Sequence, residues 1–373
     1  MITFIAAKGL KNPHLQTLLP RLLRKQPLFS AEWQTLFTPD GDFLDLAWSE
    51  DWRTPHAQRK PLFVLFHGLE GSFKSPYANG LMHAFARQGW LSVMMHFRGC
   101  SGKLNHLARA YHSGETGDAR FVLEYLRKQL PERPIVAVGV SLGGNMLANY
   151  LAQYRDDPIV TAATLISAPL DLAACSQRIE QGFSKVYRAY LLSSLKKNAI
   201  AKYPLLENAL PLSPERIRAI AKLAEFDDVI TAPLHGFHDA ADYYQQCSGI
   251  KQLTQIRVPT QIIHAKDDPF MTEAVIPNFP LPDNIRYRLF EHGGHVGFLS
   301  GSWLKPYFWL EQALPEYYAP LRDDFLQPSK STIPSPQMKA TFKRLSVAAT
   351  RRFFQSYKRT VIKKRHHKIK RYL

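Results

Sequence analysis

Three short apolar runs, spaced by helical stretches, constrain this chain more tightly than any other feature. They are PLFVLFHG at 61–68, WLSVMMHF at 90–97 and PIVAVGV at 134–140. Each is too short for a helix and apolar without alternation, the pattern of a strand buried on both faces. Helical stretches from Tyr77 to Gln88 and from Glu115 to Leu130 lie between them. A β-α-β-α-β order calls for right-handed crossovers and a parallel sheet with helices on both faces. A helix from about Leu142 to Tyr154 and a strand at 160–167 (VTAATLIS) continue the series. Upstream, Trp33–Phe37 and Phe43–Trp48 flank the turn T-P-D-G-D, so antiparallel strands are expected to open the fold. The expected class is α/β, a mostly parallel central sheet flanked by helices.

The alternation breaks near Leu170. From there to Arg257 the segments FSKVYRAYLLSSL and PERIRAIAKLAEF carry helical periodicity without a buried strand, which predicts a helical cap insertion over about 170–257. The sheet resumes with PTQIIHA at 259–265 and IRYRLFE at 285–291, and the Pro- and Ser-bearing LQPSKSTIPSPQ follows. A single α/β domain over 1–337 and a basic C-terminal extension over 338–373 are therefore expected. The extension holds thirteen of the chain's Lys and Arg residues and no acid, so of a net charge of +17 the remaining residues carry only +4. Three widely spaced cysteines, Cys100, Cys175 and Cys247, argue against a disulfide framework and favour the cytosol. The N-terminus shows no signal-peptide pattern, and nowhere do 18 apolar residues run consecutively.

Gly139-Val140-Ser141-Leu142-Gly143 has the form G-x-S-x-G, the strand-to-helix elbow that presents a nucleophilic serine. Average glycine usage yields such a pattern by chance in roughly one chain in ten of this length, so context decides. Here it follows an apolar strand and precedes the helical NMLANYLAQY. A serine of this kind needs a histidine base oriented by a carboxylate, in the chain order Ser, Asp, His, each after a late strand. Lys266-Asp267-Asp268-Pro269-Phe270 and Glu291-His292-Gly293-Gly294-His295 occupy those positions, and each offers two candidates. Asp268 is preferred because Pro and a large apolar residue follow it, and His295 because the preceding glycine pair frees the backbone to turn the imidazole inward.

The oxyanion needs backbone donors. Leu142 follows the nucleophile at a helix N-terminus, and Leu69, within His67-Gly68-Leu69-Glu70-Gly71, supplies the second. His67 reads as a loop-shaping residue. Arg98-Gly99-Cys100-Ser101-Gly102 and Tyr111-His112-Ser113-Gly114-Glu115 fit pocket-lining and structural roles equally well. Cys100 has little to recommend it as a nucleophile. His292 and His295 stand at H-x-x-H spacing without a third ligand pattern, so neither a metal nor another cofactor is expected.

These motifs carry a resemblance. Asn12-Pro13-His14-Leu15-Gln16-Thr17, FHGLEGS, MHFRGCSG, YHSGE, GVSLGGNML, EFDD, HGF, YYQQCS, HAKDDPF and EHGGHVGF, spread over residues 8 to 312, resemble the YheT-type esterases, a branch of the α/β-hydrolases. The resemblance implies the α/β-hydrolase fold, a charge relay at Ser141, Asp268 and His295, and hydrolysis of carboxylic esters with short- to medium-chain acyl groups. Val140 stands where an aromatic or other residue is expected beside the nucleophile, a change that should be tolerated. Some relatives transfer acyl groups to alcohols, so an acyltransferase is the alternative enzyme.

The extension MKATFKRLSVAATRRFFQSYKRTVIKKRHHKIKRYL interleaves apolar residues with its cations, a composition suited to an anionic membrane surface or to nucleic-acid phosphates. A solvated tail without a partner is the plainer reading. A non-catalytic scaffold anchored by this extension is the alternative outside enzyme chemistry. The expected partners are thus a small-molecule or lipid-like ester and, through residues 338–373, an anionic surface, with the protein cytoplasmic or peripheral to the inner membrane surface.

Overall fold

The computed structural model describes residues 2–327, so the basic extension lies outside the described residues. Its first element is a helix absent from the sequence expectation, α1 (Pro13–Leu23), which precedes the hairpin of β1 (Glu32–Phe37) and β2 (Phe43–Trp48). The usual signal fails here because the amphipathic pattern is largely inverted: Gln16 is the buried residue, Leu15, Leu18, Leu22 and Leu23 are exposed, and Leu19 packs inward against Leu10 and Leu299. Gln16 Nε2 donates to the carbonyls of Leu10 (2.8 Å) and Leu299 (3.0 Å), while its Oε1 accepts from the Leu299 N–H (2.7 Å). Asn12 caps the helix by accepting from the His14 and Leu15 amides.

The parallel strands then follow as the apolar runs require. They are β3 (Leu62–Phe66), α2 (Pro76–Arg87), β4 (Leu91–Met95), α3 (Gly117–Gln129), β5 (Ile135–Val140), α4 (Leu142–Gln153) and β6 (Ala162–Ile166). Next comes a wholly helical stretch: α5 (Leu172–Arg178), α6 (Ser184–Ala201), α7 (Tyr203–Leu206), α8 (Pro214–Ala219), α9 (Leu223–Phe226), a π-turn at Asp227–Thr231, α10 (Ala232–Leu234) and α11 (Ala240–Cys247). β7 (Thr260–Ala265) and β8 (Ile285–Phe290) complete the sheet. A small hairpin, β9 (Leu299–Gly301) and β10 (Pro306–Phe308), leads into α12 (Trp309–Leu326).

The eight strands are ordered β1-β2-β4-β3-β5-β6-β7-β8. The pairings β1–β2 and β2–β4 are antiparallel and the rest parallel. One apolar layer joins Leu123, Leu126, Met146 and Leu147 to one face of the sheet. A second packs Leu81, Phe85, Trp309 and Leu314 on the other. The helical stretch has its own small core around Leu192, Leu206, Ile217, Phe226 and Ile230. Six parallel strands therefore end at one edge, where the loops after β3, β4, β5, β6, β7 and β8 meet, the position at which α/β sheets present their chemistry.

Candidate active site

The turn from β5 into α4 places Ser141 at φ 53° and ψ −123°, a conformation that costs a non-glycine residue roughly 1–3 kcal/mol. It is held there by close packing. A Cβ on Gly139 would lie 2.3 Å from the Gly143 carbonyl oxygen, and one on Gly143 would lie 2.4 Å from that of His67 and 2.5 Å from that of Phe66. The two motif glycines thus let helix, strand and neighbouring strand approach at backbone distance. The Ser141 N–H donates to the Ile166 carbonyl on β6 (2.8 Å), which fixes the turn from its other side.

Ser141 Oγ lies 3.0 Å from His295 Nε2, and His295 Nδ1 lies 2.9 Å and 3.2 Å from the two carboxylate oxygens of Asp268. With Nδ1–H donating to the carboxylate, the Nε2 lone pair faces the serine hydroxyl, the tautomer a base requires. Asp268 is buried, and the Phe270 N–H donates to its Oδ1 (2.8 Å). The Phe270 ring stacks on the imidazole with centroids 4.0 Å apart and 20° between planes. The other two candidates serve the loop instead. Asp267 accepts from the Gly294 N–H (2.9 Å) and pairs with His292 (3.3 Å), so neither reaches the serine.

Several positioning groups escaped sequence reasoning. Thr17 Oγ1 on α1 accepts the His295 N–H (2.9 Å) and itself donates to the Pro13 carbonyl (2.7 Å). Ser167 Oγ accepts the Val296 N–H (3.2 Å). Gly294, at φ +57°, leaves room for α1: a Cβ there would meet the Pro13 carbonyl at 2.5 Å and Thr17 Oγ1 at 2.7 Å. Gly294 thus serves packing against α1 as well as backbone freedom. The Asn12–Thr17 segment was a signal by resemblance; its role required the fold.

The loop after β3 carries Leu69. Its neighbours' amides are taken: Gly68 N–H donates to Tyr77 Oη (2.8 Å), Glu70 N–H to Tyr111 Oη (2.8 Å) and Gly71 N–H to the Gly68 carbonyl (2.9 Å). Among the described residues, the Leu69 and Leu142 amides have no protein partner. A Cβ on Gly68 would lie 3.1 Å from Ser141 Cβ, which places this loop against the serine. His67 shapes the loop: its Nδ1–H donates to the Gly68 carbonyl (2.7 Å) and its Nε2 accepts from the Phe97 N–H (3.0 Å). Burial pushes His67 down to about 3, so it stays neutral and keeps both bonds.

A cavity beside Leu69 and Leu142 runs under the helical stretch and is lined largely by apolar groups, among them Leu104, Leu195, Ala199, Leu223, Phe226, Ile230 and Leu234. Arg98 reaches its edge, but its guanidinium is tied to Asp118 (2.7 Å at both oxygens) and Asp42 (2.9 Å). Burial raises the Cys100 thiol well above the ordinary range, which removes its thiolate. His112, Glu115 and His235 bring ligand-type atoms within 4.8 Å of one another, and the two histidines line the cavity. Glu115 in that group already accepts from Arg109 (2.5 Å) and from the Gly117 amide at the start of α3 (2.9 Å), a helix-capping ion pair.

The chain matches the alpha/beta hydrolase fold family over residues 61–302. It is 53% identical to the provisionally named esterase YheT of Escherichia coli (strain K12), over 84% of this chain and 92% of that protein. It is 26% identical to phospholipase ABHD3 of Bos taurus, over 81% of this chain and 74% of that one. Among solved structures, the esterase Pf2001 of Pyrococcus furiosus aligns at TM-score 0.50 and 15% identity, over 88% of this chain and 98% of that one, a likeness of fold.

Proposed function

We propose, from the premise that the chain belongs to the alpha/beta hydrolase fold family and to the branch that holds YheT, that it is a cytoplasmic serine esterase. One observation carries the reading: Ser141, His295 and Asp268 form a continuous hydrogen-bonded chain at the strained end of β5. In this reading Ser141 Oγ attacks the ester carbonyl as its proton passes to His295 Nε2. Asp268 stabilises the imidazolium, and the Leu69 and Leu142 N–H groups receive the oxyanion. The imidazolium then protonates the departing alcohol. Water, deprotonated by the same histidine, cleaves the acyl-enzyme. No step calls for a metal or another cofactor. The apolar cavity favours a short- to medium-chain acyl group, and the helical stretch over about 170–257 acts as its cap.

The test is turnover of p-nitrophenyl esters of increasing acyl length, with fluorophosphonate labelling, for wild type and Ser141→Ala. Activity and labelling should disappear together in the variant, and the length profile should decline once the acyl chain outgrows the cavity. Labelling without hydrolysis would favour an alcohol acceptor over water, the acyltransferase alternative. Absence of both in the wild type would reject the assignment and favour a scaffold. For the extension 338–373 we propose contact with anionic surfaces, through lipid headgroups or nucleic-acid phosphates, checked by liposome and RNA pelleting after its deletion.

A further inference from the structure

Two helices at the rim of the site expose apolar stripes of the same spacing. On α1 these are Leu15, Leu18 and Leu22; at the start of α6 they are Phe183, Val186 and Tyr190, and all six side chains are between 38% and 65% exposed. Each set follows i, i+3, i+7, which puts it along one helical face. The stripes adjoin. The His14 ring lies 4.4 Å from that of Phe183, and seven residues later on both helices the Arg21 guanidinium sits 4.4 Å over the Tyr190 ring. The helices therefore run side by side in the same direction. Six large apolar groups form one continuous face, unlike the isolated exposed leucines that any protein surface carries.

The charge around this face has one sign. Residues 1–31 contain five Lys and Arg and no acid, and residues 183–201 four and none. Lys11, Arg21, Lys25 and Lys185 are exposed. The nearby acid Glu180 is held by Arg188 (2.5 Å). A second copy of the chain would set like charge against like charge, and nucleic acid would leave six apolar side chains without a partner. A lipid surface satisfies both features, because apolar side chains enter the acyl boundary while cations meet phosphates.

We propose that the α1–α6 face seats the protein on an anionic lipid surface and thereby turns the active site toward it. The link to the site is short. Thr17 of α1 holds the His295 amide, and Tyr187 of α6 packs 4.9 Å from Phe270, the ring stacked on His295. Docking is read by binding, so it stands or falls independently of ester turnover.

The experiment is flotation of the full-length protein, and of the same protein without residues 338–373, with phosphatidylcholine vesicles, with and without phosphatidylglycerol, for wild type and the pair Leu22→Glu/Val186→Glu. Wild type should float with the anionic vesicles, and the pair should partition about tenfold or more weakly while still hydrolysing a water-soluble p-nitrophenyl ester. The milder pair Leu22→Ser/Val186→Ser should fall between them and serves if the glutamate pair does not fold. Equal flotation of wild type and variants once residues 338–373 are removed, or no flotation of wild type, would overturn the proposal. A dimer seen by sedimentation velocity and lost in the variants without a change in flotation would assign the face to a second copy and likewise overturn it.

Discussion

Exchanging each of the two adjacent aspartates for asparagine separates catalysis from loop support. Asp268 is 3% exposed and receives three contacts: His295 Nδ1 at 2.9 Å and 3.2 Å, and the Phe270 N–H at 2.8 Å. Asparagine fits the same volume. Its oxygen can keep the Phe270 bond, but its NH₂ then faces Nδ1 and forces the imidazole proton onto Nε2. That nitrogen donates toward Ser141 and no longer accepts its proton. In a serine–histidine–aspartate arrangement this wrong tautomer lowers kcat about 10⁴-fold, equivalent to about 5 kcal/mol of barrier. Asp267 accepts the Gly294 N–H at 2.9 Å, which an asparagine oxygen can still do, and loses only the longer His292 contact at 3.3 Å. Asp267→Asn should cost about 1 kcal/mol of stability and less than about tenfold in kcat. The assay is kcat and KM on p-nitrophenyl butyrate, with urea unfolding of both variants to verify the fold. A loss of about 10³-fold or more in Asp267→Asn, or a loss within about tenfold in Asp268→Asn, would refute the assignment.

Other expectations test the framework around these groups. Gly143→Ala drives a methyl group into the backbone of β3 and its following loop, so urea unfolding should show a loss of about 3 kcal/mol or more. Tyr77→Phe leaves the Gly68 amide without its partner beside Leu69; kcat should fall at least a few-fold with KM little changed, short of the ~10²-fold cost of deleting an oxyanion donor. Burial pushes the Asp227 carboxyl up to about 6, although Tyr244 and Thr231 donate to it. The folded chain therefore keeps a proton that the unfolded one releases near pH ~4, and the stability this group contributes below that value is lost as pH rises to about 6. Asp227→Asn should flatten that decline, gaining about 2–3 kcal/mol near pH ~8 relative to its effect near pH ~4 by urea unfolding.

The strands were legible because burial on both faces writes itself as an unbroken apolar run. The expected strand at 134–140 is Ile135–Val140, and that at 259–265 is Thr260–Ala265. The helices at the edges were less so. α1 hides its polar Gln16 and exposes four of its five leucines, contrary to the amphipathic rule, and α12 carries Pro315 and Pro320 within its length. Both helices depend on long-range partners: Gln16 on Leu299, and the α12 residues Trp309 and Leu314 on the layer with Phe85. Local pattern has no access to such contacts.

By itself the sequence determined the parallel sheet, the elbow at Ser141, and the order serine, acid, histidine, because strand burial and a strained turn each impose a local residue pattern. It narrowed the acid and the base to two candidates each and favoured Asp268 and His295. Only the tertiary structure brings Ser141 to a histidine 154 residues away and separates Asp268 from Asp267 by what each one touches. The same holds for Thr17, Tyr77, Tyr111 and Phe270, and for the face shared by α1 and α6. Hydrogen bonding and ring stacking act over a few ångströms of space, and chain spacing alone does not specify which distant side chains folding brings within that range.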